Sequence, residues 1–139
     1  GVDADAADVV REENLSQMLS FAKEYAKSFG TILAITGAID LVTDGERAYV
    51  IRNGCKEMSR ITGTGCQLSG LITAFLVANP NKALEAVAAA TCTMGLAGEI
   101  GKAHLQEGEG NASYRNRIID AISLMTGEEL EKGAKYEIR

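Results

Sequence analysis

Thr62, Gly63, Thr64, Gly65 and Cys66 put two hydroxyls, two glycines and a thiol into five consecutive positions, directly ahead of the apolar run Leu68 to Ala78. Glycines at 63 and 65 permit backbone angles that turn successive N–H groups to one side. A helix beginning there adds the positive end of its dipole. Gly63, Thr64, Gly65 and Cys66 together then form an anion hole suited to a phosphate or a developing phosphoryl charge. The pattern has neither the lysine of a P-loop nor the spacing of a dinucleotide fingerprint. A plain structural turn accounts for it equally well. Cys66 falls in the first helical turn, where the dipole favours thiolate, while a bound polyphosphate would oppose that ionisation. A free cysteine is as often a small buried filler.

Other candidates are weaker. Thr36 and Gly37 stand at the carboxyl end of the run TILAIT (31–36), and ligands gather outside strand ends in open α/β sheets; an ordinary strand-ending turn is the plainer account. Asp44 reads as hairpin grammar, and His104 as a partner of its helix dipole rather than a base. Cys55, beside a turn, and Cys92, on an alanine-rich helix, read as packing. Asp3 and Asp5 read as solvated loop residues.

The elements that must position these groups follow from periodicity. Leu15, Met18, Leu19, Ala22, Tyr25, Ala26 and Phe29 recur every three or four positions, so residues 12–29 predict an amphipathic helix closed by Gly30. TILAIT (31–36) predicts a fully buried strand, and helix, turn and buried strand together predict parallel strands in an α/β layer. Two β-rich runs around Asp44-Gly45 predict an antiparallel hairpin over 40–52, at or near the sheet edge. Residues 66–78 are apolar on nearly all faces and predict a helix buried at the centre of the fold. After the break at 79–81 comes a long small-residue helix over 82–104, expected to lie against the 66–78 helix and to offer a subunit contact. A third amphipathic helix is expected over 114–126, stopped by Gly127, with a last short strand in AKYEIR.

With 139 residues, one domain is the natural expectation. Fourteen basic against nineteen acidic residues, a net charge of −5, argue against a nucleic-acid surface. Three cysteines without CxxC spacing and a single histidine make neither a disulfide scaffold nor a recognisable metal cluster, so a reducing cytoplasm is expected. The acidic opening does not look like a signal peptide, and the longest apolar run is too short to span a membrane. The start at Gly1, without methionine and in what reads as mid-loop, suggests a piece of a longer protein.

GVDA (1–4), AITGAIDLVTDGERAY (34–49), RITGTGCQLSGLITAFLVA (60–78) and NASYRNRIIDAI (111–122) resemble the hydroxyethylthiazole kinase family. The resemblance implies a ribokinase-like α/β fold, three-layered with a mainly parallel central sheet, of which residues 1–139 are the C-terminal part. It implies transfer of the ATP γ-phosphoryl group to the hydroxyl of 4-methyl-5-(2-hydroxyethyl)thiazole. It further implies magnesium as cofactor and a homotrimer with sites between subunits, expected to be cytoplasmic and without nucleic-acid or membrane partners. Thr36 would contact ATP, Gly63 the thiazole, and Cys66 would stand at the phosphoryl-transfer centre, with no metal ligand in this chain. Wider ribokinase relatives carry an aspartate base where Cys66 stands, in a GAGD turn; here it reads GTGC, leaving Cys66 as base or filler. Another ribokinase-like kinase, such as one acting on a hydroxymethylpyrimidine, is the alternative, though cysteine in place of aspartate argues against it. A non-catalytic, partner-dependent half-domain is the reading from outside the enzyme class. Family members are about twice as long, so these residues alone are expected to be inactive.

Overall fold

The computed structural model describes residues 9–139; Asp3 and Asp5 lie outside them. A 3-10 turn, Glu12–Asn14, leads into α1, Leu15–Phe29. The apolar face of α1 buries Leu15, Ala22 and Ala26. Phe21, Tyr25 and Phe29 form an exposed ladder on its other side, with successive ring centroids 6.2 and 4.6 Å apart. Gly30 caps the helix in the left-handed region, as expected.

Three strands follow: β1, Leu33–Ile35; β2, Asp40–Thr43; and β3, Ala48–Ile51. The last strand, β4, Tyr136–Ile138, completes a sheet of order β1-β2-β3-β4. Every pairing among the described residues is antiparallel, which corrects the parallel strands expected within this part of the mainly parallel sheet. The connection from β1 to β2 spans only 36–39, enough to reverse direction. A parallel return needs a crossover of a dozen residues or more.

Two further expectations about the strands change. Among the described residues β1 is an edge strand with Ala34 exposed, not fully buried. The β2–β3 hairpin is the central pair of the four described strands. Leu41 and Val50 pack under α1 on one face, while Val42, Tyr49 and Ile51 pack on the other against α3, Ala83–Ala103. The layers are therefore helix, sheet, helix, as expected.

α2, Thr64–Ala78, precedes α3, and α4, Asn111–Leu124, packs on the far side of α3. The two apolar helices exchange their expected roles. α3 is buried along most of its length, whereas α2 buries only Leu68. Alanine and glycine let neighbours approach α3 from every side, so it takes the centre of this chain. α3 is long and apolar enough to cross a bilayer by composition, but it is a core helix here.

Gly127 does not merely stop a helix: it opens α5, Gly127–Gly133. Thr126 forms the capping box for α5, accepting the Glu129 N–H while the Glu129 carboxylate accepts its own N–H at 2.8 Å.

Candidate active site

β1 ends at Ile35, and Thr36 stands exposed just beyond it. The turn into β2 is tied by Asp40, whose Oδ1 accepts the Gly37 N–H at 2.9 Å. Across from this turn lie the 3-10 segment Lys56–Arg60, the start of α2 and the middle of α3. They enclose a cleft of 610 Å³ whose polar lining includes Thr36, Asp40, Asn53, Lys56, Thr64 and Thr91.

At the start of α2, Gly63 is the N-cap with φ 94° and ψ 1°. Only glycine occupies that region without strain. The Gln67 N–H reaches the Gly63 carbonyl at 2.9 Å, which closes the first turn. The N–H groups ahead of it point out of the helix start, free for an outside acceptor. Thr64 and Gly65 line the cleft; Gly63 and Cys66 belong to the same turn but do not line it. The Cys66 thiol is exposed. The need for glycine falls on 63 rather than on both: Gly65 has no positive φ, and a Cβ there would meet nothing within 4 Å.

Asp40 is a site residue the motif search missed. It sits on the α3-facing side of β2, with Ile51 opposite. Burial pushes its carboxyl up to about 6, partly offset by the Gly37 N–H. The available signal was Gly37-x-x-Asp40, the spacing at which a carboxylate closes a loop onto an N–H three residues earlier.

The opposite wall is built by close approach. Gly95 of α3 lies against Asn53, where a Cβ would meet the Asn53 backbone C and O at 2.7 Å. Asn53 in turn accepts the Lys135 N–H at 2.7 Å and donates to the Gly133 carbonyl at 2.9 Å, locking the C-terminal segment to the wall. Glu99 accepts the Gly54 N–H at 2.8 Å and pairs with the Lys135 ammonium at 2.6 Å. Burial works against its ionisation, but Lys135, Gly54 and Asn53 together keep its pKa below the ordinary value.

The remaining candidates fall into structural places. Cys92 is buried in the core, its thiol pushed up to about 11 by burial and by Asp40. Cys55 lies on the cleft wall with its sulfur 3.1 Å from the Tyr114 hydroxyl. The Tyr114 hydroxyl donates to the Gly98 carbonyl at 2.9 Å, and the Cys55 thiol lies 3.8 Å from the same carbonyl. Asp44 accepts the Glu46 and Arg47 N–H groups at 2.9 and 2.8 Å, the turn role expected. His104 caps α3 and is exposed. Among the described residues, no group of three or more His, Cys, Asp or Glu side chains is placed to hold a metal.

The helix–sheet–helix layering, with a glycine-opened helix beside the strand-end cleft, is a ribokinase-like α/β fold, as its solved structural neighbour shows. The structure of the hydroxyethylthiazole kinase protein from Pyrococcus horikoshii OT3 matches with a TM-score of 0.81 at 28% identity, over 92% of this chain and 48% of that one. The hydroxyethylthiazole kinase family profile matches residues 1–128, and the chain belongs to that family. The hydroxyethylthiazole kinase of Clostridium acetobutylicum is 46% identical over 99% of this chain and 50% of its own length. That of Arabidopsis thaliana is 45% identical over 73% of this chain and 36% of its own. The chain thus spans about half the length of the relatives it matches most fully.

Proposed function

We propose that the protein carrying this chain transfers the γ-phosphoryl group of ATP to the hydroxyl of 4-methyl-5-(2-hydroxyethyl)thiazole, in thiamine biosynthesis. The observation that carries this reading is the opening of the α2 first turn onto the cleft that Thr36 also lines. Free N–H groups and a helix dipole there match the charge that develops on a moving phosphoryl group. On this reading Thr36, in the cleft lining, donates to ATP, while Gly63 and Cys66, in the same anion-hole turn of residues 63–66 but outside that lining, are assigned to the thiazole and to the transfer centre. Family membership supports the substrate.

Magnesium accompanies ATP in this chemistry. Asp40 is the one carboxylate lining the cleft among the described residues, and they do not by themselves build a magnesium site. The uncovered apolar faces of α2 fit burial against further protein, in keeping with a homotrimer whose sites lie between subunits. Three unpaired cysteines fit a reducing cytoplasm.

The direct test follows phosphorylated product by mass spectrometry, with the thiazole alcohol and a hydroxymethylpyrimidine offered separately to the intact protein. The thiazole alcohol is expected to turn over with the higher kcat/KM. Preferential turnover of the pyrimidine would assign the chain a different kinase reaction.

Thr36→Val in the same enzyme is expected to raise KM for ATP about tenfold or more, because a hydrogen bond to a charged group contributes about 1.5–3 kcal/mol. The change should leave KM for the alcohol nearly as it was. Steady-state kinetics with each substrate varied in turn will show it. A rise confined to the thiazole KM would move Thr36 to the other substrate.

A further inference from the structure

An aspartate facing the α3 layer is an expensive choice for closing a turn. Asparagine would offer the same acceptor oxygen to the Gly37 N–H without a charge to desolvate. Among the described residues no cation pairs with Asp40. From α3 the Cys92 thiol lies near enough for the Asp40 charge to raise its pKa, and from its own turn the Gly37 N–H reaches the carboxylate. From the 53–58 segment, Asn53, Cys55 and Lys56 line the same cleft, with Thr64 from α2. The Gly37 hydrogen bond, at 2.9 Å, joins the end of the turn to the residue next to Thr36.

We propose that Asp40 is a positioning residue for nucleotide binding: its ionised carboxylate clamps the Gly37 N–H and so sets the Thr36 hydroxyl at the mouth of the cleft. The inference rests on the kinase reading above, in which Thr36 meets ATP. An ionised acceptor makes a shorter, roughly twofold stronger hydrogen bond than a neutral one. Protonating Asp40 loosens the turn and, through Thr36, weakens ATP binding without any contact between Asp40 and the nucleotide.

Burial has a second consequence. A carboxyl that holds its proton up to about pH 6 in the folded chain, but only to about 3.8 when unfolded, loses folding stability as pH rises through that window. At neutral pH the charge therefore opposes folding, and its presence is better explained by the site than by the fold.

The experiment compares intact wild-type protein with Asp40→Asn between pH 5 and 8. ATP binding is measured by calorimetry, and kcat and both KM values by steady-state assay. In wild type the ATP affinity is expected to fall about three- to tenfold as pH drops through 6. Asp40→Asn should stay at the weaker level throughout, with KM for the alcohol unchanged. ATP's own ionisation is common to both proteins and cancels in their ratio. The Gly37 amide resonance should titrate with a midpoint near 6 in wild type and stay still in Asp40→Asn. At pH 7 the variant should melt roughly 5 °C higher.

Parallel pH profiles in the two proteins, or tighter ATP binding by Asp40→Asn at pH 7.5, would overturn the proposal. If ATP binds and follows this pattern but the thiazole alcohol is not phosphorylated, the substrate reading fails and the role of Asp40 stands. If ATP does not bind at all, the kinase reading and the positioning role fall together, and a Gly37 titration would report only the hydrogen bond.

Discussion

Gly63→Val is expected to lower kcat of the intact kinase by about 10²–10³, the range seen when an oxyanion-type donor is misplaced. Gly63 holds φ 94° at the N-cap of α2, where a β-branched residue is badly strained. Relief of that strain rotates the N–H groups of the first turn away from the cleft. Gly65→Ala, in open space and without a positive φ, is the matched control and should keep most activity.

Cys66 substitutions complete the series. A base contributes about 10²–10⁴ in rate, so Cys66→Ala distinguishes a proton acceptor from a filler. Cys66→Asp, which restores the acceptor of the wider superfamily, should be damaged least, Cys66→Ala more, and Gly63→Val most. Single-turnover rates, with near-UV CD to confirm folding, check the order. Wild-type speed in Cys66→Ala would make the thiol a filler beside the anion hole. A folded but dead Cys66→Asp would break the analogy with the aspartate enzymes.

Gly95→Ala should produce the largest loss of stability from a single methyl group. Its Cβ would lie 2.6 Å from the Asn53 Cβ and 2.7 Å from that residue's backbone carbon and oxygen. Backbone cannot rotate aside as a side chain can. α3 must move away from the 53–58 segment, loosening the hydrogen bonds by which Asn53 holds Gly133 and Lys135. Overpacking of this kind costs about 3 kcal/mol, a fall of roughly 10 °C in Tm for a chain of this size. Gly70→Ala on α2 meets nothing within 4 Å and should gain slightly from helix propensity. Thermal melts of the two variants side by side make the comparison. An unchanged Tm in Gly95→Ala would mean that α3 slides from Asn53 without penalty.

The elements legible in the sequence were those set by neighbours a few residues apart. The period of α1 and its cap at Gly30, the Asp44-Gly45 hairpin, the long α3 and the closing strand β4 each depend on local spacing and turn chemistry. The short α5 was missed: its Thr126-x-x-Glu129 capping box was there to be read, but its seven residues span too few turns to show a periodic face. The motifs around Thr36 and residues 63–66 carried the family resemblance, and the family profile bears it out.

What the sequence left undecided depends on which surfaces meet. α2 and α3 are both apolar around most of their circumference, so hydropathy could not rank them. Side-chain size did, because α3's alanines and glycines admit a sheet, two helices and the Asn53 wall at close range. Strand direction was set by a connection too short for a crossover, and among the described strands the hairpin lies between β1 and β4 rather than at an edge. Positive φ settled on Gly63 alone once the helix began at Thr64, which left Gly65 inside an ordinary first turn. Asp40 acquired its buried, proton-retaining character only when α3 closed over β2, since desolvation belongs to the packed environment and not to the residue.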